Sequence, residues 1–563
     1  MILLLKRIRF TFMANAIQNK KYIFSLFLVL LFSSLVLAQK KTSKKEMIKL
    51  VNADKIERVP EKYNGNLLFS GNVIFTHKGA TLKADSAVFY QKENYFEAFS
   101  NVEMKNEKYD ITAGYVEYNG NTEIAIAEKH VVLRDGKQTL YTDRLEYDRA
   151  SNKAFYNTGG TIVSKENTIT SQSGEYDVAT KTNTFEGNVI INNEDYYIDS
   201  DNVEYNSNEG FVQFLGKTTI QSKKNSSQYI KTTRGKYYLN KKEAFLKDRS
   251  SVYSDGKSIT ADDLYYNQLT GQGEGKGDVF LDDPEERRFI KGNLAKFYKE
   301  LDSAFVTQNA LAVRAFEKDS LYLHADTLLA TKRDSVSLVR AFHNAKFFKS
   351  NAQGKSDSIV YSEKTSSVGM FNDPILWSDA KQITGDTILV YINAKYEQLD
   401  SIQVRNNAFA MAQRDSINPK DFNQIKSKNM TAMFKNDSIE WVQAFGNAQS
   451  TLFLEDEDKK TKQKELLGIN RSDCGIIEAT FEDRKMEIIS CKIGQQSKLY
   501  PPADFPEDQQ YLPGFLWRGK ERFKRWQDIM NDSPTPPEQE PEKNQEPKVI
   551  LKKEEQDDAN SKQ

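Results

Sequence analysis

Cysteine and histidine are scarce in this chain, with 2 and 4 among 563 residues. That leaves little material for a multi-ligand metal centre or a disulfide-built scaffold. Net charge is missing too. The 79 Lys and Arg balance 79 Asp and Glu, which argues against the basic excess of a nucleic-acid binder. Proline nearly vanishes from the middle of the chain, where residues 61–500 hold only Pro284, Pro374 and Pro419. Such a stretch keeps its backbone N–H groups available for a hydrogen-bonded ladder. A mean hydropathy of −0.65 excludes a polytopic helical membrane protein.

The one long apolar run lies near the N-terminus. Lys20 and Lys21 precede Tyr22–Leu37, and Val36-Leu37-Ala38 supplies residues that a signal peptidase reads. Residues 1–38 are therefore expected to be an export signal, with Met13 as an alternative start and an uncleaved membrane anchor as the other reading. Their removal takes five basic residues and no acidic one, so 74 basic residues would face 79 acidic ones. No Cys follows the run, so no lipid-modified N-terminus is expected.

What the chain does contain is a repeat. A small or polar pair before a β-branched residue recurs as Gly71-Asn72-Val73, Ser100-Asn101-Val102, Lys129-His130-Val131, Gly187-Asn188-Val189, Gly216-Lys217-Thr218 and Gly277-Asp278-Val279. Positions 71, 100 and 129 are 29 residues apart, as are 187 and 216, and Gly160-Thr161-Ile162 is a weaker copy. Between them runs a second motif, Asp or Gly with apolar residues two and four positions on: Gly114-Val116-Tyr118, Asp143-Leu145-Tyr147, Asp201-Val203-Tyr205 and Asp262-Leu264-Tyr266, with Asp85-Val88-Tyr90 shifted by one. Looser copies at Asp326, Asp357 and Asp386 carry the period to about residue 450.

Within each copy the apolar residues alternate. From Phe96 to Met104 one parity reads Phe, Ala, Ser, Val, Met, the signature of a half-buried strand. Asn119-Gly120, Asp135-Gly136 and Asp255-Gly256 supply hairpin turns. A small residue near the middle of an arm lets it bend, so that its two halves join two facing sheets. The expected fold is all-β, an elongated jellyroll of antiparallel strands in roughly 29-residue repeats. Each repeat would lengthen the body by about 10 Å.

These arms carry a resemblance. Ser70-Gly71-Asn72-Val73-Ile74-Phe75 followed by Lys83-Ala84-Asp85-Ser86-Ala87-Val88-Phe89-Tyr90, behind an export signal, resembles the OstA-like family, which includes LptA and the N-terminal domain of LptD. The likeness is clear over about residues 50–310 and weakens to about 450. It implies a β-jellyroll whose V-shaped interior holds the acyl chains of lipopolysaccharide in the periplasm. It also implies stacking with other jellyroll proteins through edge-strand pairing, and delivery to an outer-membrane translocon. The chain departs from the family in its length. No membrane barrel is expected within residues 501–563, which are too short, Pro-rich and charged for membrane strands.

Parity selects the candidate lipid-facing residues. In the first kind of arm they are Val73, Phe75, Val102, Met104, Val131, Leu133, Val189, Ile191, Val279 and Leu281. In the second kind they are Val88, Tyr90, Val116, Tyr118, Leu145, Tyr147, Val203, Tyr205, Leu264 and Tyr266. The same residues would serve equally to pack two sheets together.

Other chemistry is thin. Gly271-Gln272-Gly273-Glu274-Gly275-Lys276-Gly277 lacks the first Gly and the final Ser/Thr of a phosphate loop and reads as a turn and arm midpoint. His77, His130, His324 and His343 have no metal-ligand spacing and read as solvated or strand-face residues. The later pattern Asp319-Ser320, Asp334-Ser335, Asp357-Ser358, Asp400-Ser401, Asp415-Ser416 and Asp437-Ser438 suits turns leading into strands, with calcium ligation as the sharper alternative. Cys474 and Cys491 are expected to pair in an oxidising compartment, two free thiols being the alternative. Phe515–Trp526 mixes aromatics with bases, as a cap on the last repeat or a membrane-facing amphipathic helix.

The expected organisation is a signal at 1–38, an OstA-like jellyroll at 39–310, divergent repeats at 311–500, a cap at 501–530 and a disordered tail at 531–563. The expected function is non-catalytic. The chain would be a lipopolysaccharide-binding bridge carrying its cargo from inner to outer membrane through the periplasm, with no cofactor, no metal and no nucleic acid. The alternative is an extended β-solenoid with a dry core, acting as a surface adhesin or carbohydrate-binding scaffold.

Overall fold

The computed structural model describes residues 46–531 apart from 59, 107–108, 137, 166, 178, 207, 299–302, 318, 334–335, 394–397, 415–418, 458–463 and 483–484. The export signal, the tail from residue 532, and the pairs Asp334-Ser335 and Asp415-Ser416 lie outside the described residues. Those residues form 36 strands, and none of them is α-helical. The chain is all-β. Strands pair antiparallel with their sequence neighbours, a meander rather than the parallel stacking of a solenoid. The chain divides into two compact units, one ending at Ala154 and one beginning at Phe155. The strand Ser303–Ala315 is paired on both sides, so the ladder runs on across residue 310.

The recurring pair is a two-residue left-handed bulge. Gly71 and Asn72 have φ of 74° and 48°, and Ser100/Asn101, Lys129/His130, Gly187/Asn188 and Gly277/Asp278 repeat the conformation. The neighbouring arm supplies a single residue there, so the register shifts between Ser70 and Val73 against Ser86 and Ala84. That lone residue is commonly an Asp, and it seals the bulge. Asp54 donates its N–H to Gly71 O (2.9 Å) and accepts from Asn72 Nδ2 (2.8 Å), and Asp85 accepts from Asn101 Nδ2 (2.7 Å). Glycine suits the first position because φ is positive and because a Cβ on Gly71 would lie 2.5 Å from Asp54 Oδ2. Bulges of this kind bend a strand and increase its twist, dividing each arm into two halves.

Beyond residue 300 the same bulge persists on unlike residues: Gln308/Asn309, His343/Asn344, Asn372/Asp373, Asn406/Asn407 and Gly446/Asn447. The hairpins differ from the simple two-residue expectation. Asp255 and Gly256, with φ of 51° and 79°, form the expected tight turn. Asn119 instead accepts the N–H groups of Asn121 (2.9 Å) and Thr122 (3.2 Å), and Glu123 takes the positive φ. Asp148, Asp177, Asn206 and Asn267 repeat that turn. Gly271 lies in a turn and Gly277 in a bulge, so the glycine-rich run is a hairpin and an arm midpoint.

In the first unit the two halves close on an aromatic interior. Phe75 stacks on Phe96 at 5.0 Å, with Phe69, Phe89 and Tyr118 around them. Of the two readings, solvated or strand-face, His77 takes the second: it ends the strand Leu67–His77 and is buried, with its Nδ1 2.7 Å from Tyr118 Oη. His324 is likewise buried, with Nδ1 2.8 Å from Ala310 O.

In the second unit, residues 501–531 form a strap rather than a cap on the last repeat or a helix. It has only short 3-10 turns. Its path is set by three buried glutamines that carry it across the strands. Gln424 donates to Gln510 O (2.8 Å) and accepts from Leu512 N (2.9 Å). Gln382 donates to Leu516 O (2.8 Å) and accepts from Arg518 N (2.8 Å), and Gln353 accepts from Arg522 Nε. The amides of Gln424 and Gln382 are thereby satisfied by strap backbone, and Gln353, whose Nε2 donates to Lys349 O (2.7 Å), offers the strap its oxygen. Leu512 packs on Phe409 and Met411, and Ile529 on Leu311 and Val313.

Candidate functional site

In the second unit the two halves of the meander enclose a cavity of about 2510 Å³. Pockets for drug-sized ligands span roughly 300–1,000 Å³, so this space suits a far larger ligand or several chains side by side. One wall is a cross-strand row of Ile230, Val252, Ile259, Leu281, Ile290 and Ala312. The facing wall includes Leu246, Leu264, Ala295, Ile359, Met370 and Ile402. Strand alternation turns these residues inward, while Lys231 and Lys291 next in sequence point away. Small residues such as Ala295, Ala312 and Ala410 leave the middle unfilled.

Charged residues line the ends of the hairpins at one rim. Asp283 accepts from Arg288 Nη2 (2.9 Å) and lies 3.3 Å from Lys257 Nζ. Burial alone would raise the Asp283 carboxyl, but these two cations hold it below the usual carboxylate range. Asp282 is pushed up by burial and by the neighbouring Asp283 charge. An apolar interior with an ionic rim matches an amphiphile, with chains inside and a polar head at the edge.

Of the residues selected by parity, Leu264, Tyr266 and Leu281 line this cavity. Val189, Ile191, Val203 and Val279 are buried in the second unit outside its wall, and Tyr205 is half-buried on the face of Val203. Val73, Phe75, Val102, Met104, Val116, Tyr118, Val131, Leu133, Leu145 and Tyr147 fill the first unit, where a void of about 20 Å³ remains. That is about room for one water. Val88 and Tyr90 need a correction of phase. Val88 is fully buried but shares the row of Leu68 and Glu97, and Tyr90 donates to Glu97 (2.9 Å), so Ala87 and Phe89 take the positions beside Phe69, Phe96 and Ala98. Wall residues such as Ile230, Val252 and Ile290 were passed over because their arms do not follow the repeated motifs; their parity alone marks them.

Cys474 and Cys491 form a disulfide with Cα atoms 5.7 Å apart, joining two neighbouring strands. This is consistent with an oxidising compartment.

Two family profiles match the chain, an OstA-like protein over residues 45–201 and an LptA/(LptD N-terminal domain) LPS transport protein over residues 168–272. Residues 45–272 are OstA-like, LptA/LptD N-terminal domains. No curated protein matches the chain. The LptA/OstA family is one of non-catalytic transport proteins of the cell envelope. The OstA-like region contributes only the first arms of the cavity, whose lining runs from Tyr196 to Glu487 and Ile489.

Proposed function

We propose that this chain is a periplasmic lipopolysaccharide carrier that holds acyl chains in the cavity of its second unit and bridges the inner and outer membranes. The observation that carries this reading is an apolar space of about 2510 Å³ between the halves of a meander whose first arms are OstA-like. Each methylene moved from water into such a space gains about 0.8 kcal/mol, so several chains suffice for retention. No catalytic group is required. Lipopolysaccharide would enter and leave at the rim, driven by a separate motor, with neighbouring jellyroll proteins and an outer-membrane translocon as partners.

The test is a set of photo-crosslinking residues introduced in cells. Probes at Leu281, Ile359 and Ile402 are expected to capture lipopolysaccharide, and probes at Phe75 and Val116 to capture little. Capture from the outward residues alone would reject the cavity as the carrier site. Depletion of the chain should in turn lower lipopolysaccharide at the cell surface; an unchanged surface would reject the bridge. A dry-cored adhesin would show neither effect.

A further inference from the structure

The strap lies on the outward face of the sheet half whose inward face lines the cavity. Among the described residues it reaches this face only as far as Phe289, which packs with Ile529, Leu311 and Val313. Beyond Phe289 two outward cross-strand rows continue. One runs Phe289, Asp282, Ser258, Tyr253, Tyr229, and the other Lys291, Phe280, Thr260, Ser251, Lys231. Aromatic rings stand at both ends of this surface. Tyr229 and Tyr253 stack at 4.3 Å with Lys231 Nζ 5.5 and 5.9 Å from them, and Phe280 and Phe289 lie 5.3 Å apart with Lys291 Nζ 5.5 Å from each. The middle is low and polar. From Tyr253 to Phe289 is three strand steps, about 14 Å, and the floor between them carries Ser258, Asp282 and Thr260, whose hydroxyl lies 2.8 Å from that of Ser251. Among the described residues no cation forms an ion pair with the Asp282 carboxylate, whereas its neighbour Asp283 takes both Arg288 and Lys257.

We propose that this trough binds a sugar, the saccharide head of an amphiphile whose chains lie in the cavity; the inference rests on the cavity reading above. The residues themselves select the ligand class. An anion would meet Asp282, and a purely apolar ligand would leave Asp282 and Ser258 without partners. An uncharged sugar suits both parts, since its C–H faces pack on aromatic walls while its hydroxyls donate to the carboxylate and share bonds with Ser258 and Thr260. Position supports the same occupant. Tyr229, Tyr253, Asp282 and Phe289 point outward yet also border the cavity, so the trough begins at the cavity mouth. A cargo with its chains inside would present its polar head there.

The experiment titrates the full chain with two probes in parallel, followed by saturation-transfer NMR. One is a lipid-free, dephosphorylated oligosaccharide prepared from lipopolysaccharide, and the other is a fatty acid. Both are expected to bind the unaltered chain. Phe280→Ala with Thr260→Val, at positions that do not border the cavity, is expected to lower the oligosaccharide affinity roughly tenfold and to leave that of the fatty acid unchanged. Asp282→Asn, which keeps the shape of the side chain, is expected to lower the oligosaccharide affinity about fivefold. An oligosaccharide that fails to bind while the fatty acid binds would overturn the sugar site and leave the cavity reading standing. A fatty acid that fails while the oligosaccharide binds would remove the cavity reading and, with it, the assignment of the sugar as the head of a cargo. Unchanged oligosaccharide affinity in both variants, or an equal loss of both probes in the first, would also overturn the proposal.

Discussion

A left-handed pair in the middle of a strand is costly for most residues, and the chain meets that cost locally. Asn101, at φ 48°, tolerates the conformation and also donates to Asp85 at 2.7 Å. Asn101→Ala removes both advantages and is expected to cost about 1–2 kcal/mol in a thermal or denaturant melt, and Asn101→Gly less, since glycine keeps the conformational freedom. Packing gives a second contrast at this scale. Phe75 is 1% exposed within a filled aromatic cluster, so Phe75→Ala should cost about 3–5 kcal/mol. Leu281 borders open space, and Leu281→Ala should cost clearly less. Equal losses at both positions would mean that the second interior is as tightly filled as the first.

At the scale of elements, the last arm and the strap are held by different means. The disulfide ties Cys491, in the strand Lys485–Lys492, to Cys474 across 17 positions, a closure worth about 3 kcal/mol on the chain-entropy estimate. Thiol titration should find reactive cysteines only after reduction, and reduction should lower the melting temperature. The strap depends on amide pairs and on Glu521, whose carboxylate accepts from Arg518 Nη2 (2.8 Å) and lies 2.5 Å from Lys355 Nζ. Arg518 first, and then Lys355, outweigh partial burial and bring its pKa from 4.5 down to about 2. A depressed pKa means that the contact is complete above about 4.5 and is lost as pH falls toward 2. Limited proteolysis of the strap should therefore rise over that interval. The effect will be small, because the Glu521 side chain is 39% exposed and screened. Gln382→Leu should loosen the strap at neutral pH as well, since it leaves Leu516 O and Arg518 N without their partner.

For the whole molecule, the two units carry one motif with two interiors. Phe69, Phe75, Phe96, Tyr118 and Tyr147 meet in the first and leave a void of about 20 Å³, whereas the walls of the second stand around a space of about 2510 Å³. Filling substitutions in the second unit, Ala312→Phe with Ala410→Phe, are expected to reduce lipopolysaccharide capture while leaving the melting temperature nearly unchanged, because they enter empty space. Had the cavity no part in binding, capture would survive them. The strap adds a further division of labour, since it covers the outward face of the same walls and leaves their inward face untouched.

Strand character, the antiparallel meander, the 29-residue bulge period and the OstA-like resemblance were all legible in residue order. Each rests on local chemistry: alternation over two residues, Asn and Gly tolerating positive φ, and Asp binding the adjacent N–H. The bulges after residue 300 do not stand out in residue order because the pairs at 308/309, 343/344, 406/407 and 446/447 are followed by Ala310, Ala345, Ala408 and Ala448 rather than by the β-branched residue of the earlier copies. Val88 and Tyr90 stand one residue out of phase because the bulges lie on the flanking arms and not on this one, so Ala87 and Phe89 keep the offsets of two and four from Asp85 seen in the other copies. Parity identified inward residues without telling a filled interior from an open one. That distinction depends on how far apart two sheet halves stand and on the summed size of side chains that meet from distant arms. The strap's route was likewise decided by tertiary structure alone, because it is written in Gln353, Gln382 and Gln424, three buried amides that become a binding track only when their strands lie side by side.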